Sequence, residues 1–323
     1  MSEKRSFNPY LGWAIFAALL ALFPLVASSG TLRIFIMAFY LAIFAMSWDF
    51  LSGRTGYVSF GHPFLIGIGS YASAILSYRY GVPLAVSIPA AVVITLVAGT
   101  LFFLPALRIR GSYFALVTLA FMEMTYRLTQ VIRPDLTGGT RGMSGLPSIT
   151  TGAFNNYYLA LVLMLAIAVG LWALGRTRLG LALSAIGMDE DAVRGSGLDA
   201  TKLKLFAFMT SALVAGIGGA FYTHYLQSIA PRALFDISFV FTIIVAVLIG
   251  GAGTIIGPII GAFFLTFLLE YLRPVFPGTE RYFIYGTIAL LLYVYRPKGI
   301  ISILEELWAR WRGYEPKKAA VHG

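Results

Sequence analysis

The stretch Leu32-Arg-Ile-Phe-Ile-Met-Ala-Phe-Tyr-Leu-Ala-Ile-Phe-Ala-Met-Ser-Trp-Asp-Phe-Leu51 decides the fold. It is long enough to cross the hydrocarbon core of a bilayer, which takes about 20 predominantly apolar residues in a helix. Its two charges, Arg33 and Asp49, lie near its ends. The apolar residues are continuous, without the alternation of a barrel strand, so the stretch reads as a helix in lipid. In that solvent only helices and closed barrels satisfy their own backbone groups.

Outward from this stretch the pattern repeats. Further apolar runs cover roughly Tyr10–Ala27, Pro63–Tyr78, the segment from the Gly81-Val82-Pro83 turn to about Leu107, Ser112–Ile132 and Tyr157–Leu174. Beyond a charged stretch come Leu205–Leu226, Phe239–Ile249, Ile255–Tyr271 and Phe283–Tyr295. Together they predict an all-α, polytopic transmembrane helical bundle of about ten helices, one transmembrane domain over residues 1–323. The count turns on residues 239–271, where Gly250, Gly251, Gly253 and Gly257 interrupt one long apolar region. A tight turn between two helices and a broken helix both fit that spacing.

Composition agrees. Of 323 residues, 59% are hydrophobic and only 12% charged, against about a quarter charged in soluble domains. The absence of cysteine excludes disulfides and thiolate metal sites. The net charge of +10 is concentrated in short segments between apolar runs and in the tail over 297–323, with Arg310, Arg312, Lys317 and Lys318. That distribution fits loops facing anionic lipid rather than nucleic acid. The positive-inside rule places Arg54, Arg108, Arg110, the 176–204 stretch and the tail in the cytoplasm, so both termini are expected there. Lys4 and Arg5 precede the first apolar run with no small-residue cleavage site after it, which reads as a retained helix.

Two Gly/Pro-interrupted segments, one in each half, stand out. One runs from Gly53 to Gly69 through Gly56, Ser59, Gly61, His62 and Gly67; the other runs from Gly250 to Gly261 through Gly251, Gly253, Thr254, Gly257 and Pro258. Irregular backbone at membrane depth is tolerated only against protein or a water-filled cavity. Paired interruptions point to a transport pathway. Close helix packing through small residues is the plainer reading and is favoured for most of these glycines.

The stretch from Arg176 to Lys204 is longer than a link between two membrane helices requires. Within it, residues 184–199 read as a short surface helix. Asp189 is the N-cap, and Glu190 and Asp191 complement the helix dipole in the first turn. Arg194 occupies the last turn, Gly195 or Gly197 ends the helix, and Asp199 or Thr201 caps the next membrane helix. Such a capped element suits docking to a cytoplasmic partner.

As a set, these features resemble the LivM-type permease subunits of bacterial ATP-binding cassette importers for branched-chain amino acids. The likeness rests on Gly53-x-x-Gly-x-x-Ser-Phe-Gly-His62 with Gly67 and Gly69, on Tyr113 to Phe121, on 184–199 with Ala207-Phe208, and on Gly250 to Pro258. The Gly-rich segment Gly138 to Pro147 is similar to the family's extracellular loop, and the likeness covers about residues 40–300, in order. It implies a coupling loop to an ATPase subunit at Gly187, Met188, Asp189, Glu190, Asp191, Ala192, Val193, Arg194 and Gly197. It also implies two cytoplasmic ATPase subunits, a second, LivH-like permease subunit, a periplasmic solute-binding protein and a bacterial inner-membrane location. The chain departs from the family's pattern at Ser184 and Gly187, where basic residues are common, and at Asp49, where Asn is common. Those departures bear on ATPase pairing and on solute identity, since related permeases serve urea, amides and aromatic acids.

No Gly-x-x-x-x-Gly-Lys-[Ser/Thr] loop occurs, so ATP is expected to be used by partner subunits and no cofactor or metal is expected in this chain. His62, His224 and His322 lack metal-ligand spacing, and no catalytic constellation is evident. Ionisable residues in apolar spans are functional candidates because burying a charge in lipid is costly. They are Asp49, Glu123, His224 and Glu270. Glu123 has Arg127 four residues on, the spacing of a helical ion pair. Asp49 and Glu270 are near helix ends, where they would reach water, and His224 would serve as a hydrogen-bonded packing residue. With the two glycine segments, Asp49, Glu123 and His224 make up the translocation-path candidates. The alternative class is a stand-alone ion-coupled transporter or channel using Glu123 or Asp49.

Overall fold

Ser28 starts the first described membrane helix, its hydroxyl accepting the Thr31 N–H ahead of α1 (Ser29–Trp48). In the computed structural model, which describes residues 18–106, 109, 111–276, 278, 280–296, 299–302 and 306, α1 ends in a π turn, Asp49–Gly53. A non-helical segment leads to α2 (His62–Ala74), with Pro63 in its first turn, where a missing N–H costs nothing. A second π turn, Ile75–Arg79, closes α2. Then come α3 (Leu84–Ala106), α4 (Ser112–Val131), α5 (Ala153–Gly175), α6 (Arg178–Met188) and α7 (Glu190–Gly195). The chain finishes with α8 (Ala200–Leu226), α9 (Ile237–Gly250), α10 (Ile256–Leu272) and α11 (Glu280–Tyr295).

Helices α1–α5 and α8–α11 coincide with the spans expected from Leu32 onward. Five of the described helices are long and apolar enough to cross a membrane: α1 with its π turn, α3, α5, α8, and the segment Pro231–Gly250 that contains α9. The apolar α10 is shorter. Residues 10–17 of the expected Tyr10–Ala27 span, the basic pair Arg108 and Arg110, and most of the 297–323 tail lie outside the described residues.

Two helices form the axis of the bundle. α1 is buried along nearly its whole length and packs on α5, α8, α9 and α10. α8 packs on α1, α2 and α3. Aromatic edges join α1, α5 and α10: Phe39 meets Tyr157 at 5.1 Å and Phe263 at 5.5 Å, and Phe35 meets Phe267 at 5.1 Å. By contrast α3 carries a row of large exposed side chains, Val86, Val93, Val97 and Leu101 among them. In a membrane protein such a face belongs against lipid or another apolar chain.

The favoured packing reading of the glycines is what the helices display. At the α2–α8 crossing, a Cβ on Gly69 would stand 2.5 Å from the Gly216 carbonyl oxygen, and one on Gly219 would strike the Ile66 carbonyl. Gly67 takes the Phe235 ring against its backbone. Between α9 and α10 the chain makes a turn, not a broken helix, with Gly251 at φ 123° and Gly253 at φ 79°, conformations only glycine adopts freely. Gly250, Gly257 and Gly261 then bring the two helices into backbone contact.

Opposite this turn the loop after α4 is tied to the far end of α8. Met143–Ser144 (β1) pairs antiparallel with Ser228–Ile229 (β2), and the Leu146 N–H donates to the Gln227 carbonyl at 3.1 Å.

Candidate functional site: a capped surface helix beneath two joined glycine segments

The 176–204 stretch folds as two helices, and this corrects the reading of 184–199 as one. Ser184 to Met188 belong to α6, capped by Thr177, and Asp189 interrupts the helical path in an extended conformation. Asp189 then caps α7, accepting the Asp191 and Ala192 N–H groups at 2.9 and 3.0 Å. Glu190 and Asp191 occupy its first turn and Arg194 its last, as expected; Ala192 is exposed, and Val193 is buried beneath them. Gly197 turns the chain at φ 85°, and Asp199 caps α8 through the Thr201 and Lys202 N–H groups. Met188 projects outward, 88% exposed.

This element is fastened to the bundle in two places. Gly187 lies directly on the Arg54 carbonyl, where any Cβ would collide, and Gly56, at φ 74°, sits against Gly187. Three residues on, Glu190 binds a cluster that sequence reasoning did not single out. Its carboxylate receives the Tyr57 hydroxyl at 2.5 Å, the Lys204 ammonium at 3.1 Å and the Arg194 guanidinium at 2.7 Å. Burial pushes the Glu190 carboxyl up, but the hydrogen bonds from Tyr57, Arg194 and Lys204 outweigh it and hold the pKa down at about 2. Lys204 is only 2% exposed, and its ammonium stands 4.5 Å from the centre of the Tyr57 ring. A signal for it exists in the sequence: Lys204, Phe208 and Ser211 share the buried face of α8, at the i, i+4, i+7 spacing of one helix stripe.

Above α7, residues 54–61 link the π turn to α2, non-helical from Gly56, and side chains satisfy their backbone. Ser52 Oγ accepts the Ser59 N–H at 3.2 Å, Thr118 Oγ1 the Phe60 N–H at 3.0 Å, and Ser59 Oγ the Gly61 N–H at 3.2 Å. Trp48 Nε1 donates to the Ser59 carbonyl at 2.7 Å. Buried backbone polar groups require such partners. Gly61 packs closely on Thr118, where a Cβ would stand 3.0 Å from the Thr118 carbonyl oxygen. His62 Nε2 is 2.9 Å from Ser211 Oγ, which itself donates to the Ser47 carbonyl at 2.8 Å, so α1, α2 and α8 meet at one polar point.

Asp49 joins the two glycine segments. The carboxylate accepts the Gly253 N–H at 2.7 Å, and Gly53 fits beneath it, leaving no space for a Cβ between Asp49 and Gly253. The expectation that Asp49 reaches water is therefore overturned, for its side chain is buried at 1% exposure. A short polar residue on a helix end was read as solvated, whereas the partner backbone arrives from residues some two hundred positions away. Thr254 shapes the same turn, donating to the Gly251 carbonyl and accepting the Gly257 N–H, and Pro258 is buried in the first turn of α10.

The remaining candidates do not join this centre. Glu123 forms the expected helical ion pair with Arg127, at 2.7 Å, on an exposed face of α4. Glu270 is half-exposed, 3.6 Å from Arg273. His224 lies on the last turn of α8, about 20 Å along the axis from Ser211. It bridges Ser73 Oγ at 2.8 Å and the Pro147 carbonyl at 2.7 Å, a packing role that holds the Gly-rich loop. Beside it, a pocket of about 120 Å³ opens between α8 and α9, walled by Tyr222, Leu226, Leu234 and Phe239. Among the described residues no cluster of metal-ligating side chains occurs.

Comparison with known proteins agrees with this architecture. Residues 30–293 match a family described as branched-chain amino acid transport system / permease component. The high-affinity branched-chain amino acid transport system permease protein LivM of Salmonella typhimurium is 28% identical over 309 residues, covering 87% of this chain and 72% of that one. A probable branched-chain amino acid transport permease protein LivM of Methanocaldococcus jannaschii is 26% identical, covering 88% and 84%. The ribose import permease protein RbsC of Haemophilus influenzae is 30% identical over 47% of this chain and 50% of its own. No solved structure matches the chain. With a helical membrane bundle and a family match over most of its length, the chain belongs to the permease components of branched-chain amino acid transport systems.

Proposed function

We propose that this chain is the membrane-spanning permease subunit of an ATP-binding cassette importer, carrying branched-chain amino acids inward across the bacterial inner membrane. Its partners in this reading are two cytoplasmic ATPase subunits, a second LivH-like permease subunit and a periplasmic solute-binding protein. Residues 187–197 are the surface on which an ATPase subunit sits. The observation that carries the reading is the capped α7, fastened to the bundle through Gly187 and Glu190 while Met188 projects outward. ATP-driven closure of the ATPases would push on this element and switch the membrane cavity between its two sides.

The ion-coupled alternative loses support from the same geometry. Glu123 is held in a surface ion pair, and Asp49 holds the Gly253 N–H.

The chain has no cysteine, so a Met188→Cys variant carries a single thiol. Co-expressed with the ATPase subunits of its transport system, it should cross-link to an ATPase, and the wild-type chain should co-purify with one. Disordering residues 187–198 should abolish both association and transport. Normal transport by that variant would refute the coupling assignment, and uptake that collapses with the proton gradient at constant ATP would favour the ion-coupled class. For the solute, titrating the partner binding protein with leucine, isoleucine and valine should give saturable binding. A preference for urea, an amide or an aromatic acid would replace the proposed substrate and leave the mechanism standing.

A further inference from the structure

Lys204 stands out among the buried groups of this protein. An ammonium withdrawn from water is costly unless well paired, and replacing a buried ion pair as a whole by apolar residues of similar volume is often neutral or stabilising. Stability alone is therefore a weak reason for a lysine here. What the lysine does is connect. Its ammonium is 3.1 Å from Glu190 Oε1 on α7 and donates to the Tyr57 hydroxyl at 3.1 Å in the 54–61 segment, while its own backbone belongs to the first turns of α8. Tyr57 and Glu190 close the triangle with their own hydrogen bond.

From this triangle the packing leads inward along two routes. The Tyr57 ring meets Phe114 of α4 edge-on at 5.4 Å, Phe114 meets Phe103 of α3 at 5.4 Å, and Phe103 stacks on Phe208 of α8 at 3.6 Å. Along α8 itself, the buried stripe from Lys204 runs through Phe208 to Ser211, which bonds both Ser47 and His62.

Resting on the importer reading above, we propose that Lys204 is a positioning residue for transport: it clasps Glu190 and Tyr57 so that α7, the start of α8 and the 54–61 segment move as one body. Without the clasp, α7 retains its cap and its Arg194 pair, and the Gly187 contact remains, so an ATPase still finds its seat. The displacement then reaches α8 and the 54–61 segment incompletely.

The test uses the full transporter, reconstituted with its ATPases and binding protein, and reads solute moved per ATP hydrolysed. Lys204→Met should lower that ratio roughly two- to thirtyfold, the range by which removing a contact along a coupling network changes coupling. Thermal stability should fall little, because Glu190 keeps Arg194. A purely structural lysine would lower stability and leave the ratio unchanged, and an unchanged ratio in a folded Lys204→Met complex overturns the proposal. Should that variant fail to fold, Tyr57→Phe removes one hydroxyl from the same triangle and keeps the ring; a lowered ratio there supports the clasp and an unchanged one overturns it. A wild-type chain that supports no ATPase activity with its partners defeats the importer reading and this inference with it, whereas coupled wild-type transport with unaltered variants defeats this inference alone.

Discussion

Asp49 and Glu190 are both carboxylates withdrawn from water, and they do different work. Asp49 supplies an acceptor to a backbone N–H that has no other described partner, so Asp49→Ala should destabilise the protein by about 1–3 kcal/mol, the cost of an unsatisfied buried donor. Asp49→Asn, which keeps an acceptor oxygen, should lose much less. Melting temperatures of the purified variants in detergent check the order, and an alanine variant as stable as wild type contradicts the role. Glu190 is instead an ion held charged by its neighbours, with its pKa lowered from the ordinary 4.5 to about 2. A carboxyl depressed on folding contributes stability that is fully present above its ordinary pKa and is lost as pH falls toward the folded one. The difference in melting temperature between wild type and Glu190→Gln should therefore stay constant from about pH 5 to 8 and shrink below about pH 4. A difference that changes within the neutral range would mean that another group holds the carboxyl in place.

At the scale of elements, glycines set how closely helices approach. α2 and α8 cross with Gly69 against the Gly216 carbonyl, and a methyl group there has nowhere to go. Gly69→Ala should force the pair apart at about 1–3 kcal/mol, the usual cost of overpacking. Gly170 on α5 has nothing within 4 Å of where a Cβ would stand. Gly170→Ala should therefore be neutral or stabilising, by up to about 1 kcal/mol from helix propensity. Thermal unfolding of the two variants side by side separates packing from propensity, and equal effects would contradict the close crossing. The π turns at Asp49–Gly53 and Ile75–Arg79 sit at the ends of α1 and α2, where an extra residue per turn redirects the chain. The first of them aims α1 at the 54–61 segment and at the α9–α10 turn.

For the whole molecule, the arrangement has two ends of different character. One end carries α6, α7 and the Gly251–Thr254 turn; the other carries the β1–β2 pair, the loop held by His224 and the pocket beside Phe239. From the distribution of basic residues we propose that the first end faces the cytoplasm. In right-side-out vesicles, a membrane-impermeant maleimide should label a Thr151→Cys variant and leave Met188→Cys unlabelled until the vesicles are opened. The reverse pattern would invert the topology and remove α7 from the reach of a cytoplasmic ATPase.

The sequence by itself determined the solvent and the elements. Runs such as Leu32–Leu51 and Leu205–Leu226 could not be anything but helices in lipid, because no other open structure satisfies its backbone there, and local capping rules were enough to read Asp189 and to narrow the next two caps to Gly195 or Gly197 and to Asp199 or Thr201. The Glu123–Arg127 pair was legible for the same reason, since it needs only helical spacing. Tertiary structure alone decided the centre. The Asp49–Gly253, Tyr57–Glu190–Lys204 and His62–Ser211–Ser47 links each join chain segments far apart in sequence, and hydropathy reads a lysine near the start of a membrane helix as a solvated loop charge. Whether such a residue faces water or a buried carboxylate depends on which segments the bundle brings beside it, and no local pattern carries that information.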